Sequence, residues 1–164
     1  MLSKSTWAVL ALVCHIELFV LARYHASIDP DTGLSELYKD VFLHHAREES
    51  QHAILDELEW RRENANLSAA ERDIAVDDLI ALVGAVDGLL QIQAGADAEY
   101  FLKTSGRTFT AAEQERLRAG VLKAYRWQYI VSGVEDSRFQ KILGDMITPA
   151  QADRIGKALA PILN

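Results

Sequence analysis

Apolar residues recur every three to four positions along most of the chain, which is the spacing of helices that bury one face. No segment shows the two-residue alternation of a half-buried strand. The pattern therefore predicts four long helices and a shorter fifth one, with approximate bounds of 6–28, 35–63, 68–103, 110–146 and 148–164. We expect the fourth helix to bend near Gly133.

Short motifs predict where these helices begin and end. The stretch DPDTG (29–33) is a strong turn signal after the first helix. Ser35 is a good N-cap for the second helix, and Pro149 suits the first position of the fifth. The motifs SAAE (68–71) and TAAE (110–113) are capping boxes that open the third and fourth helices.

Four long helices joined by short loops predict an all-α fold, an up-down-up-down four-helix bundle with a short C-terminal fifth helix. The chain of 164 residues is 49% apolar, which is enough for one domain, 1–164, with a buried core. Gly84 and Gly88 lie one turn apart in the third helix. Each costs about 1 kcal/mol of helix propensity, so we expect a neighbouring helix to approach closely there.

The charge and the single cysteine exclude several classes of function. A net charge of −7 without a Lys/Arg run argues against nucleic acid and membrane surfaces as partners. Cys14 alone excludes an internal disulfide and a multi-cysteine metal site. The apolar stretch 7–14 is similar to a signal-peptide core, but His15 and Glu17 follow it, so we expect no spanning helix and a cytoplasmic protein. The helical pattern starts close to Met1, which leaves open whether further sequence precedes it.

A stripe of three polar residues on the second helix suggests chemistry. His45, Glu49 and His52 are spaced i, i+4 and i+7, which puts them on one helix face. Counting equal distances from each loop centre brings other inward polar residues level with them. These are Glu17 on the first helix, Asp87 on the third, and Gln128 and Glu135 on the fourth. Buried carboxylates and imidazoles are costly unless paired or metal-bound, so we predict a cation within this layer.

At this point the chain resembles the ferritin-like diiron-carboxylate superfamily. That pattern has a Glu on one helix and Glu-x-x-His on the next, then the same again in a second helix pair. Glu17 matches the first carboxylate, and Glu49-Ser50-Gln51-His52 matches the first Glu-x-x-His.

The second half of the chain departs from that pattern. No histidine follows His52, and Glu135-Asp136-Ser137-Arg138 has arginine where the second histidine would stand. Asp87 is our candidate for the third-helix carboxylate, with Asp78 and Asp97 as alternatives. His45 is the candidate for the missing nitrogen ligand, which would give a mononuclear or asymmetric site.

The resemblance implies a metal site and oxidative chemistry. The expected cofactor is iron, mono- or dinuclear, with manganese or zinc as alternatives. The implied function is oxidation of a small organic substrate by dioxygen, in a homodimer. The competing hypothesis is a non-catalytic helical bundle with a degenerate metal site, serving dimerisation or partner binding. Catalytic residues are not assigned by either hypothesis.

Each candidate ligand also has a plain structural interpretation. The charged stretch 47–60 is typical of a solvated helix face, and Glu48 replaces Glu49 as the inward residue if the face is shifted by one position. Glu17 could be a buried acid paired with His15 or Arg23, and Asp87 a hydrogen-bonded buried acid. Three tyrosines near the layer are either hydrogen-bond donors to the ligands or ordinary core aromatics; they are Tyr24, Tyr125 and Tyr129.

Overall fold

A computed structural model describes residues 3–163, in which helices are joined by short loops and no strand occurs. The helices are α1 Thr6–Arg23, α2 Glu36–Asn66, α3 Ala69–Thr104, α4 Ala111–Arg126, α5 Ser137–Met146 and α6 Pro149–Leu163. A π-helical turn, Tyr24–Ile28, extends α1. A second π-helical turn, Trp127–Val131, and an α-helical turn, Ser132–Val134, extend α4. The all-α class is confirmed, and each of the five predicted helix starts lies within one residue of a helix start in the structure.

Side-chain caps fix the helix starts where the sequence predicts them. Ser35 accepts a hydrogen bond from the amide of Tyr38 at 3.3 Å. The capping boxes of Ser68 with Glu71 and of Thr110 with Glu113 are both complete, which confirms them. These caps satisfy amides that have no partner within the helix.

The predicted bend in the fourth helix is a break. The helical path from Ala111 stops after Val134, and α5 begins at Ser137, after two intervening residues, with Asp136 as its N-cap. The carboxylate of Asp136 accepts from the amides of Arg138 at 2.9 Å and Phe139 at 3.0 Å. The cap starts a new helix, so the fourth predicted helix is two helices.

Helix α1 lies at the centre of the molecule. It packs against α2, α3 and the end of the α4 path, and α3 packs against α4 and α6. Contacts of Trp7 with Trp60 and of Glu17 with Glu49 show that α1 and α2 are antiparallel. Trp7, Trp60 and Phe139 form the aromatic centre of the core, with ring centroids 5.2 and 5.7 Å apart.

Gly84 and Gly88 of α3 do not lie at a close helix approach. A Cβ added at Gly84 or Gly88 would meet no atom within 4 Å in the part of the chain that the structure describes. The prediction of close packing within the chain is therefore wrong. The outer face of α3 is instead open to solvent, with Leu89, Ile92 and Tyr100 each about two-thirds exposed or more.

Two helical segments are long and apolar enough to cross a membrane by length and composition, Thr6–Ile28 and Ala69–Thr104. The expectation that His15 and Glu17 would shorten the first below that limit is wrong by this measure. Such a measure also selects core helices of soluble proteins, and 44% of the first apolar window is buried inside the molecule. The expected absence of a membrane stays a prediction.

Candidate metal centre

Three of the predicted ligands meet between α1 and α2. One ligand atom each from Glu17, Glu49 and His52 lies within 4.8 Å of the other two. The turn at 29–33 folds α2 back along α1, and the helical period then brings Glu49 and His52 to the side that faces Glu17. The side chain of Glu49 is only 14% exposed, whereas that of His52 is 47% exposed. The cluster therefore has a buried carboxylate side and an open imidazole side.

Glu49 is the centre of a small hydrogen-bond network. Its Oε1 lies 2.7 Å from Nε2 of His45, and its Oε2 lies 2.7 Å from Nδ1 of His52. Its carboxylate also shares a hydrogen bond with Glu17. Both imidazoles hold the carboxylate in place, and Nε2 of His52 is the ring nitrogen that this contact leaves free.

This network shifts the pKa values of Glu17, Glu49 and His52. Burial, a hydrogen bond to Glu49 and the charge of Glu49 raise the pKa of Glu17 to about 7. Burial also opposes the charge on Glu49, but hydrogen bonds from Glu17 and His52 outweigh it and lower the pKa of Glu49. The hydrogen bond to Glu49 raises the pKa of His52. At weakly acidic pH, Glu17 therefore keeps its proton and donates it to the Glu49 carboxylate.

A further acid, Asp56, lies beside the cluster, and the sequence reasoning missed it. Burial raises the pKa of Asp56, and its Oδ2 is buried without a hydrogen-bond partner. Asp56 follows His52 by four residues and Glu49 by seven, so the same helical spacing could have identified it. Burial and the charge of Asp56 also raise the pKa of Cys14 to about 12, which keeps that thiol protonated.

No lysine or arginine between residues 3 and 163 forms an ion pair with Glu17 or Glu49. His15, one expected partner of Glu17, instead lies 2.9 Å from the carbonyl oxygen of Ile130. Two carboxylates and an imidazole thus converge, and the charge of a third acid, Asp56, is near enough to raise the pKa of Glu17. A bound divalent cation fits this donor set, because it would supply the positive charge that the carboxylates lack.

The other predicted ligands lie outside the cluster. Asp87 is buried, but Arg126 pairs with both of its oxygens, at 2.7 and 2.9 Å, and Gln91 donates to it at 2.7 Å. Glu135 is exposed at the break before α5, and Glu48 is exposed beside Glu49. The two alternatives on α3 have their own partners, since Asp78 binds Lys4 and Asp97 binds Tyr125. The structure therefore draws its cluster from α1 and α2 alone.

A cavity of about 150 Å³ adjoins the cluster at His45. Its wall includes residues from both π-helical turns, namely Tyr24, Ile28, Gln128 and Tyr129. Gln128 thus lies near His45, as its level in the bundle suggests, although it is not among the clustered ligand atoms.

No protein-family model, no curated protein and no solved structure matches the chain.

Proposed function

We propose that this chain is a ferritin-like metal-binding protein that holds a divalent transition-metal ion with Glu17, Glu49 and His52. The observation that carries the proposal is the approach of their three ligand atoms to within 4.8 Å, without a lysine or arginine paired to the carboxylates among the described residues. Mixed carboxylate and imidazole donors suit Fe(II), Mn(II) and Zn(II), and iron is the ion we propose.

One ion per chain is the stoichiometry that the donor set supports. The second half of the diiron pattern would need a carboxylate from α3, but both oxygens of Asp87 are held by Arg126. A bound iron ion would activate dioxygen, which would then oxidise a small organic substrate. The up-down-up-down, ferritin-like course of the helices belongs to the same proposal.

The residues around the ion have separate roles in this proposal. Glu17 loses its proton when a cation binds, because the cation replaces that proton as the partner of Glu49. His45 holds Oε1 of Glu49 and so orients the carboxylate toward His52. Asp56, one turn further along α2, adds negative charge beside the ion without being one of its three ligands.

Metal binding to a tag-free protein tests the proposal. We would strip the protein with chelator, add Fe(II) without oxygen, desalt it, and measure iron by elemental mass spectrometry. About one ion per chain is expected in the wild type and in Glu48→Gln, which changes an exposed neighbour. Glu49→Gln should lose most of it while keeping its circular dichroism and melting transition. Equal iron in Glu48→Gln and Glu49→Gln would overturn the site.

Oxidative chemistry needs its own measurement. The iron-loaded wild type should consume dioxygen faster than Glu49→Gln at equal total iron. Stoichiometric iron without faster dioxygen uptake would keep the metal site and reject the oxidase.

One observation favours the second candidate function, a helical module that dimerises. Ala85, Leu89, Ile92, Ala96 and Tyr100 share one exposed face of α3. Only 22% of the apolar window of α3 is buried inside the chain, which leaves this face for a second copy. Sedimentation velocity should give a dimer for the wild type and for Leu37→Glu on α2. Leu89→Glu combined with Ile92→Glu should give a monomer, and an unchanged dimer would exclude this face.

A further inference from the structure

A second, larger cavity of about 240 Å³ lies apart from the candidate metal centre. It is bounded by α1, α3, the end of the α4 path, α5 and α6, and none of Glu17, Glu49 and His52 lines it. No Asp, Glu, Lys or Arg of the described chain stands in its wall, so the cavity offers no ion pair to an occupant. Most of the wall is aliphatic or aromatic, and it includes Leu12, Leu79, Val83, Phe139, Leu143 and Leu159.

The two polar side chains in this wall, His15 and Gln140, offer little to an occupant. Nε2 of His15 lies 2.9 Å from the carbonyl oxygen of Ile130, and its Nδ1 is covered by protein atoms. Burial lowers the pKa of His15, so its ring is neutral at pH 7 and adds no charge to the wall. The amide nitrogen of Gln140 donates to the carbonyl of Val134 at 3.1 Å. Burial of apolar surface would therefore supply most of the free energy of binding at this site.

Helix α6 closes one side of the cavity and is held by polar contacts near its start. Gln151 donates to Oδ1 of Asp73 at 3.1 Å, and Arg154 donates to the same oxygen at 2.9 Å. After these residues, the apolar face of α6 lines the cavity with Ile155, Leu159 and Ile162, spaced i, i+4 and i+7. An apolar helix face normally packs against other side chains, but this one borders unfilled space and lacks those contacts. An apolar occupant would supply them.

We propose that this cavity binds one small, uncharged, hydrocarbon-like molecule, about the size of a benzene ring with a short alkyl chain. An apolar cavity of roughly 150 Å³ accommodates benzene, and this one is larger. A charged molecule would lose its hydration without gaining a partner in the wall. The wall residues Gly84, Gln140 and Ala158 are exposed, so the ligand enters on the side where α3, α5 and α6 reach the surface. This site does not depend on the metal proposal.

Two probes that differ by one charged group test the proposal. Titration of the whole protein with ethylbenzene, followed by NMR of labelled leucine methyl groups, should shift Leu79, Leu143 and Leu159 in the wall. Leu89, on the outer face of α3, should not shift. The cation 4-ethylbenzylammonium should bind at least about tenfold more weakly, although the net charge of −7 attracts it. Equal affinities, or no shift of the wall methyl groups with ethylbenzene, would overturn the proposal.

Variants that fill the cavity locate the binding site. Val83→Phe enlarges a wall residue of α3 and should weaken ethylbenzene binding at least about tenfold, whereas Leu89→Phe on the outer face of α3 should retain it. Ala158→Leu adds volume at an exposed wall position of α6, and Ala152→Leu makes the same change outside the wall. The α6 pair decides the question if Val83→Phe does not fold. Full affinity in each filling variant that folds would place the ligand elsewhere and overturn the proposal.

Discussion

The helix pairs α1–α2 and α3–α4 differ in the partners that they provide for their partly buried acids. Between α3 and α4, each such acid has a fixed donor from the other helix: Arg126 pairs with Asp87, Tyr125 with Asp97, and Arg118 with Glu99. Between α1 and α2, Glu17 and Glu49 face each other, and the nearby donors are imidazoles. Between α3 and α4, the chain itself supplies a partner for each carboxylate. Between α1 and α2, the two facing carboxylates need an added proton or cation to balance their charge.

This difference separates structural acids from candidate ligands better than burial does. Asp87 is more buried than Glu17, yet the guanidinium of Arg126 already pairs with both of its oxygens. A buried acid indicates a metal site only when the chain supplies no other partner for it.

The largest expected effect comes from breaking the complete pair. Asp87→Ala should lower the free energy of unfolding by about 2–4 kcal/mol, because it leaves Arg126 largely buried without its counter-ion. Glu17→Gln in metal-free protein at pH 6 should change it by less than about 1 kcal/mol, since an amide replaces a protonated carboxyl. Urea unfolding measures both. A larger loss from Glu17→Gln than from Asp87→Ala would invert the comparison.

A second expected effect lies where the two halves meet. His15 on α1 contacts the end of the α4 path, and Gly133→Ala would bring a methyl group against its ring. We expect a loss of about 1–3 kcal/mol. Gly120→Ala, earlier on the same helical path, has open space and should gain about 0.5–1 kcal/mol. Thermal melts of the two variants test this, and equal shifts would contradict it.

The contributions of Glu17 and Asp87 to folding stability should change with pH in opposite directions. The folded chain keeps a proton on Glu17 up to about pH 7, whereas the unfolded chain loses it near pH 4.5. The folded state binds more protons between these values, so the contribution of Glu17 to stability falls as pH rises through this window. Asp87 behaves oppositely: Arg126 lowers its pKa, and its contribution is lost as pH falls below its usual value of 3.8.

Urea midpoints of metal-free protein between pH 5 and 8 would measure the contribution of Glu17. The wild type should lose on the order of 1–2 kcal/mol relative to Glu17→Gln across that range, an amount reduced by the partial exposure of the site. Parallel curves for the two proteins would show that Glu17 is already ionised at pH 5.

The smallest expected effect tests a neutral donor in the complete half. Tyr125 donates to Oδ2 of Asp97 at 2.5 Å, and Gln93 donates to Oδ1 at 3.0 Å. Tyr125→Phe should cost about 0.5–1.5 kcal/mol, because Asp97 keeps its second donor and access to water. Tyr129→Phe, which keeps the neighbouring ring contact, is the control. Indistinguishable unfolding curves would show that the bond adds nothing.

The sequence predicts the first helix pair well because its information is local. The turn at 29–33 joins two neighbouring antiparallel helices, which brings Glu17 level with Glu49 despite the π-helical turn at Tyr24–Ile28. The helical period then selects His52. Asp56 lies one turn beyond His52 on the same helix face, so the same spacing predicts its position as well.

The second pair could not be predicted in the same way, because its partners are chosen by tertiary packing. Arg126 lies 39 residues from Asp87, and nothing in the local pattern marks it as the residue that turns inward. The π-helical turn at Trp127–Val131 also adds to the error. It rotates all later residues relative to a regular helix, so Glu135 is exposed at a break instead of lying in the layer.

The π-helical turn at Trp127–Val131 makes the fold depend on the exact number of residues in this segment. A π-helical turn accommodates one residue more than an α-helical turn does. Deleting a single residue from Trp127–Val131 would let the helix become regular and would turn Gly133 away from the ring of His15. A bulkier residue would then face that ring, and the Ile130 carbonyl would leave its imidazole partner. One missing codon would therefore disturb the junction of the two halves more than most substitutions on either side of it.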